Sequence, residues 1–214
     1  MKQKDEVIEV FDLFAKRYSD QYFDRHMYRD TLEYFSSMIA KDTRVLEIAC
    51  GPGNVTNTLL EINSQFSILG LDISPEMISL AQKNISSAEF KVHDILNLSQ
   101  LDEKFPAILV GFCFPYLNKE EVLESLKQIA LASTDLATLY ISTIAGDYNN
   151  SYVKGSSTGE GSPLTLYYYD IDFFTKELKP YGFGLQQHYL KSRKNADGSV
   201  EQDLILIAKR NISN

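Results

Sequence analysis

Residues 45–56 read VLEIACGPGNVT, and this stretch decides how the chain folds. Its first five residues, 45–49, are mostly apolar and predict a buried strand. Gly51 and Gly53 follow in a short loop, where the missing Cβ lets the backbone turn sharply and approach a ligand closely before a helix begins. A strand, a glycine-rich loop and a helix in that order indicate the first unit of an open α/β sheet.

The chain beyond this loop continues the same pattern. Short apolar runs alternate with amphipathic segments, which predicts strands and helices on a mostly parallel sheet. Helix starts carry recognisable caps, because Ser74 precedes a proline and an acid, and Asn118 stands three residues before Glu121. The strands predicted after 45–49 cover residues 67–71, 89–93, 107–112 and 136–144.

The two ends of the chain differ from this alternating part. Residues 1–40 have apolar side chains at three- and four-residue spacing and predict a helical cap before a core of residues 44–210. Residues 146–163 are rich in Gly, Ser and Asn and predict a loop, with a possible role as a lid. Asp197-Gly198 predicts a hairpin between strands 185–192 and 200–209, so the sheet should end in an antiparallel pair.

Composition limits the classes of function. A length of 214 residues favours a single domain. The net charge of −8 and the lack of a basic stripe argue against nucleic acid as a partner. No segment approaches the roughly 20 apolar residues of a membrane span. The N-terminus lacks a secretory h-region and there are two cysteines, Cys50 and Cys113, so we expect a cytoplasmic protein.

Carboxylates follow successive predicted strands, at the sheet edge where such folds bind ligands. Asp72, about 20 residues after the glycines, is placed to accept ribose hydroxyls, and Asp94 is placed to accept an adenine amine. Together with Glu47 they favour a cationic ligand such as S-adenosylmethionine over a diphosphate, which they would repel. The dinucleotide pattern G-x-G-x-x-G also fails, because Thr56 occupies the position of the third glycine.

With these residues the chain resembles the class I S-adenosylmethionine-dependent methyltransferases, and in particular their small-molecule branch, which contains the ubiquinone and menaquinone biosynthesis enzymes. The resemblance covers about residues 8–210. It implies a Rossmann-like, doubly wound, seven-stranded sheet, mostly parallel with an antiparallel last strand. It places the family's first motif on Glu47, Ala49, Gly51 and Gly53, with Ala49 where many relatives have glycine. The predicted donor-binding residues are Glu47, Ala49, Cys50, Gly51, Gly53, Asp72, Ile73, Met77, Asp94, Ile95, Gly111 and Phe112.

The predicted function is transfer of a methyl group to a small-molecule acceptor by in-line displacement. Tyr18, Tyr22 and Tyr116 lie in segments predicted to roof the donor site and are candidate substrate contacts. No general base can be assigned, since His93 before Asp94 is a weak candidate, and no metal is expected. Two alternatives stay open: a non-catalytic S-adenosylmethionine-binding regulatory module and a nucleotide-dependent oxidoreductase. The oligomeric state is left open.

Overall fold

A computed structural model describes residues 2–23, 27–155, 160–194, 198 and 200–211. Its centre is a seven-stranded sheet with the strand order β3-β2-β1-β4-β5-β9-β8. All neighbours from β3 to β5 pair in parallel, while β9 lies antiparallel between β5 and β8. The predicted sheet, mostly parallel with an antiparallel last strand, is therefore confirmed.

The elements follow the predicted order closely. The helices are α1 (Lys2–Tyr22), α2 (Arg29–Ser37), α3 (Asn54–Ile62), α4 (Pro75–Asn84), α5 (Lys119–Ala132) and α6 (Ile171–Leu178). The strands are β1 (Arg44–Ile48), β2 (Ser67–Asp72), β3 (Glu89–Val92), β4 (Phe105–Gly111), β5 (Ser133–Ile144), β6 (Tyr152–Lys154), β7 (Leu164–Leu166), β8 (Phe183–Lys194) and β9 (Val200–Arg210). The division into a cap of residues 1–40 and one domain core of 44–210 stays a prediction.

Both predicted helix caps form. The Ser74 side chain accepts the backbone N–H of Met77 at the start of α4. At α5 the Asn118 side chain accepts the N–H of Glu121, and the Glu121 carboxylate accepts the N–H of Asn118 in return. Each cap satisfies backbone donors that the first helical turn leaves unpaired. These two starts fix where the chain leaves β2 and β4, and therefore the shape of the sheet edge above them.

Strand residues alternate between two hydrophobic layers, because successive side chains of a strand point to opposite faces of the sheet. One layer contains Leu46 and Ile108 and packs against α5 and α6. The other contains Val45 and Leu109 and packs with α2 and α3. The central strands are thus buried on both faces, as a doubly wound sheet requires.

One loop prediction is wrong in part. The segment 146–163 contains β6, which pairs antiparallel with β7 beyond its end. The sequence did not predict this strand, because all three β6 residues are exposed and show no apolar alternation. Residues 156–159 of this segment lie outside the described part of the chain, as do residues 195–197 of the predicted hairpin turn.

Candidate active site

A cavity of about 360 Å³ lies at the carboxyl ends of the parallel strands. Its wall includes residues that follow β1, β2, β3 and β4 in turn, and the inner side of α1 closes it from above. The strand order reverses between β1 and β4, and crossovers that leave a sheet in opposite directions open a crevice at this point. The cavity occupies the place where open α/β sheets bind ligands.

The loop after β1 is shaped by left-handed backbone conformations. Gly51 and Gly53 have φ angles of 53° and 92°, and Ala49 before them has a φ of 57°. Residue Phe112, after β4, has a φ of 49°. Non-glycine residues in this region carry a conformational cost and tend to occur at functional sites. The φ of Ala49 lies in a region that glycine adopts more readily, which gives a physical reason for the glycine that the family resemblance implies at this position.

Asp72 lines the cavity at the end of β2 and holds the glycine loop in place. Its two carboxylate oxygens accept the backbone N–H groups of Gly51 and Ser74, both at 2.9 Å. Burial raises the pKa of Asp72, and these hydrogen bonds lower it in part. A carboxylate has about four lone-pair positions, so Asp72 retains capacity for ligand hydroxyls.

Glu47 lies below the loop and outside the cavity wall. Its side chain is only 1% exposed, and one carboxylate oxygen accepts the hydroxyl of Thr56. Burial raises the pKa of Glu47 to about 8. The interaction also explains Thr56 itself, since a glycine at this position would leave the buried carboxyl group without that donor.

Gly53 and Cys50 lie beside the cavity and do not form its wall. A Cβ on Gly53 would approach the Cδ1 atom of Ile85 at 2.8 Å, so this glycine faces α4 and its C-terminal cap. The Cys50 thiol is buried next to Gly70, and burial raises its pKa well above the ordinary value. Direct donor contacts of Glu47, Cys50 and Gly53 therefore stay predictions without support from their placement.

Asp94 lines the cavity at the end of β3 and already has two partners. One carboxylate oxygen accepts the backbone N–H of Leu96, and the other contacts Lys4 Nζ of α1 at 2.7 Å. His93 also lines the cavity, and its ring Nε2 lies 3.1 Å from the carbonyl oxygen of Asn97. The Lys4 contact joins the predicted adenine-binding side of the cavity to the helix above it.

Helix α1 roofs the cavity through its first five turns. Gln3 donates to the carbonyl oxygens of Tyr116 and Thr165 at 3.1 and 3.2 Å. Phe11 packs edge-on against both Tyr18 and Tyr116, with ring centroids 6.4 and 5.1 Å apart. Tyr18 and Tyr116 line the cavity, and their contact with a substrate stays a prediction. Tyr22 ends α1, but its side chain lies outside the described residues.

A second cavity, of about 250 Å³, adjoins the first. The two share Tyr18, Gly111, Phe112 and Tyr116, so these four residues form the boundary between them. Aromatic side chains, together with Arg29, Lys154, Arg193 and Glu201, line much of the second cavity. Sequence reasoning missed this cavity because its residues come from α2, β5, β6 and β9, far apart in the chain.

Most predicted donor residues meet in the first cavity. Its wall includes Ala49, Gly51, Asp72, Ile73, Met77, Asp94, Ile95, Gly111 and Phe112. Residues that the sequence analysis missed include Gln3, Lys4, Val7, Phe11, Leu96, Asn97, Cys113, Leu117 and Glu121. Val7 and Phe11 carried a signal, because they lie four residues apart and Phe11 precedes Tyr18 by seven, so all three share one helical face.

Within the described residues, no group of three or more His, Cys, Asp or Glu side chains is arranged to hold a metal ion. Among the same residues, no helix is long and apolar enough to cross a membrane.

The comparisons with known proteins agree with this geometry. Residues 45–133 match the sequence model of a family described as the methyltransferase domain. The chain is 34% identical over 87 residues to a demethylmenaquinone methyltransferase of Thermotoga maritima, across 40% of this chain and 38% of that protein. It is 29% identical over 140 residues to a tRNA N(3)-methylcytidine methyltransferase of Schizosaccharomyces pombe, across 60% and 56% of the two chains. The matched segments span about half the length of curated relatives.

The fold matches over nearly the whole chain. A crystal structure of magnesium protoporphyrin IX methyltransferase from Synechocystis with bound S-adenosylmethionine superposes with a TM-score of 0.75 at 16% identity, covering 99% of this chain and 98% of that one. The fold and the cavity define a Rossmann-like protein with a candidate ligand site at the edge of the sheet. The match to the methyltransferase-domain family covers residues 45–133, which is less than half of the chain.

Proposed function

We propose that this protein transfers a methyl group from S-adenosylmethionine to a small-molecule acceptor. The observation that carries the proposal is the cavity itself: Asp72 and Asp94 stand at successive strand ends around a glycine loop, within one wall. Two carboxylates beside a cavity favour a ligand with a sulfonium and an ammonium group over one with phosphates. The donor would therefore bind in the first cavity.

The second cavity supports a small acceptor. It adjoins the donor cavity across Phe112 and Tyr116, so an acceptor held there would lie next to the donor. At about 250 Å³ it suits a small molecule better than an exposed polymer surface. The acidic net charge of −8 also gives little attraction for tRNA, although a tRNA methyltransferase is among the relatives.

The chain's own residues would bind the donor, orient the acceptor and exclude water. S-adenosylmethionine supplies an activated methyl group on its sulfonium. Asp72 would accept the ribose hydroxyls while it holds the Gly51 amide. Phe112 and Tyr116, on the boundary of the two cavities, would align the acceptor with the methyl group. Helix α1 would keep water out, and alignment with water excluded is the chief requirement of an in-line displacement.

Calorimetry with S-adenosylhomocysteine tests donor binding. We expect binding by the wild type, and a loss of about 10- to 100-fold for Asp72→Ala, because one or two charged hydrogen bonds are removed. The control is Asp102→Ala, which changes an exposed aspartate outside both cavities. NAD should not bind. Equal affinity in the wild type and Asp72→Ala would remove Asp72 from the site, and binding of NAD alone would favour the oxidoreductase.

Turnover needs a separate measurement. Mass spectrometry of S-adenosylhomocysteine formed from S-adenosylmethionine, with a panel of small metabolites in one arm and bulk tRNA in the other, tests the acceptor class. We expect product with at least one small molecule and none with tRNA. Donor binding without product in either arm would favour the non-catalytic regulatory module.

A further inference from the structure

A hydrogen-bonded chain begins at Tyr28, in the wall of the second cavity, and ends on the buried carboxyl group of Asp203 behind that wall. We propose that Tyr28, Asp203 and Arg193 form a proton relay, in which the Tyr28 hydroxyl accepts the proton of a protic acceptor, a hydroxyl or an amine, and Asp203 takes up the proton of Tyr28. This inference rests on the proposed function and names the substrate class of the same site.

Two residues of the proposed relay, Tyr28 and Arg193, lie in the wall of the second cavity. Tyr28 lines the second cavity and packs against Phe112, on the boundary with the donor cavity, with ring centroids 5.4 Å apart. Its hydroxyl donates to Asp203 at 2.6 Å. Because that hydroxyl donates to Asp203, its oxygen still has lone pairs that can accept a proton from an acceptor in the cavity. Tyr28 is thus a catalytic candidate and Asp203 acts through it.

The charges around Asp203 favour proton uptake. Asp203 is fully buried, and Arg193 contacts both it, at 3.1 Å, and Glu201, at 2.7 Å. One cation facing two carboxylates leaves one negative charge in excess, which is costly in a buried place. Protonation of Asp203 removes that excess and leaves a neutral Arg193–Glu201 pair. Burial likewise raises the pKa of Asp203, although Tyr28 and Arg193 lower it in part.

Several other titratable groups around the relay are already engaged, whereas Lys154, which also lines the second cavity, is exposed on β6. Lys191 lies opposite Asp203 in the β8–β9 register and is paired with Asp30 at 2.6 Å. The hydroxyls of Tyr140 and Thr31 are 2.9 Å apart. Tyr168 donates to Glu201 at 3.1 Å. Asp30 and Glu201 thus have other partners, and Asp203 is the carboxylate that accepts the hydrogen bond of Tyr28.

The proposed step balances in atoms and charge. A lone pair of the acceptor atom forms the new bond to the methyl carbon, and the electrons of the carbon–sulfur bond return to sulfur. The acceptor's proton passes to Tyr28, whose own proton passes to Asp203. Asp203 ends protonated, and after product release its proton returns through the Tyr28 hydroxyl to water that enters the second cavity. No oxidant, reductant or metal ion takes part.

A comparison of two acceptors tests the relay. Phenol keeps its proton at neutral pH, whereas thiophenol, a much stronger acid, is largely ionised and needs no base. For Tyr28→Phe, which keeps the ring against Phe112, we expect phenol methylation to fall about 100-fold or more and thiophenol methylation by less than tenfold. The phenol rate should recover toward about pH 9. Asp203→Asn should behave alike, and the control Tyr34→Phe, on α2 outside both cavities, should match the wild type.

Equal losses for phenol and thiophenol, or no loss in Tyr28→Phe, would overturn the relay. A second experiment needs no methyl acceptor. It measures the carboxyl pKa of Asp203 by 13C NMR, with the signal assigned by comparison with Asp203→Asn. We expect a pKa above that of an ordinary aspartate, whereas a pKa below it would mark a static ion pair and overturn the proposal. S-adenosylhomocysteine binding, measured in parallel, distinguishes this failure from failure of the proposed donor site.

Discussion

Gly53 illustrates how one residue can shape the loop beside the first cavity without lining the cavity itself. Its φ of 92° suits glycine, and an added Cβ would meet Ile85 Cδ1 at 2.8 Å. For Gly53→Ala we expect a loss of about 1–3 kcal/mol in the free energy of unfolding, measured by urea denaturation, because both backbone strain and overpacking oppose folding. The control Gly184→Ala places its Cβ 4.0 Å from the nearest side-chain atom and should be nearly neutral.

The Gly53 prediction can be separated into its two causes. Ile85→Val removes the crowded Cδ1 atom, so Gly53→Ala should cost less in the Ile85→Val background than in the wild type. The cost that remains is that of the left-handed backbone. Additive effects of the two substitutions would contradict the crowding and leave backbone strain as the sole cause.

Glu47 predicts a pH dependence of stability. Its pKa rises from 4.5 to about 8 on folding, so between these values the folded state holds a proton that the unfolded state lacks. Stability from this group is therefore present at low pH and is lost as the pH rises, by up to about 1.4 kcal/mol per pH unit.

The variant Glu47→Gln should flatten that slope in urea denaturation between about pH 5.5 and pH 7.5. Buried Asp72 and Asp203 change stability in the same direction and stay in both proteins, so the difference between the two slopes isolates Glu47. Asp102→Asn, at an exposed position, serves as the control. Parallel slopes for wild type and Glu47→Gln would contradict a protonated Glu47.

Helix α1 is the element most suited to open and close the site. It reaches the strand ends through a few polar contacts, among them the Lys4–Asp94 pair, in which Lys4 is 41% exposed. A partly exposed pair of this kind contributes about 1 kcal/mol at most. Among the described residues, the three hydrophobic core clusters contain no residue of α1, so the helix can move without loss of the core.

Hydrogen exchange measures this motion. We expect the amides of α1 to exchange faster than those of β1 and β4, and to slow when S-adenosylhomocysteine is added, because the ligand would contact Val7 and Phe11 in the cavity roof. Helix α6, which does not line either cavity, should be unchanged. Exchange in α1 that is indifferent to a saturating ligand would contradict its role as a cover.

At the scale of the whole molecule, the sheet order creates the two adjoining cavities. The reversal between β1 and β4 opens the donor cavity, and β9 then enters antiparallel beside β5. That insertion carries Asp203 opposite Ile144, and its hairpin partner β8 carries Arg193 opposite Glu201. The ion pairs of Arg193 beside the second cavity therefore depend on the last hairpin, whereas the first cavity is lined by residues between 3 and 121.

The sequence by itself determined the sheet and brought most of the predicted donor-binding residues to one edge of it. The sequence shows the buried strands as short apolar runs, and it shows the glycine loop and the helix caps at Ser74 and Asn118. Each of these patterns depends on a few neighbouring residues, so it can be recognised without the tertiary structure. Asp72 and Asp94 follow from the same rule, because parallel strands end at one edge. The strand β6 escaped the same reasoning because its exposed residues leave no periodic pattern.

Only the tertiary structure decided what covers the donor cavity and what adjoins it. Tyr28 and Asp203 are 175 residues apart, and Gln3 meets Thr165 across 162 residues. Contacts at such separations depend on which strands become neighbours, and local propensity does not encode that choice. The positions of Glu47 and Gly53 were decided in the same way, because whether a loop residue faces a ligand or a neighbouring helix depends on the packing around it.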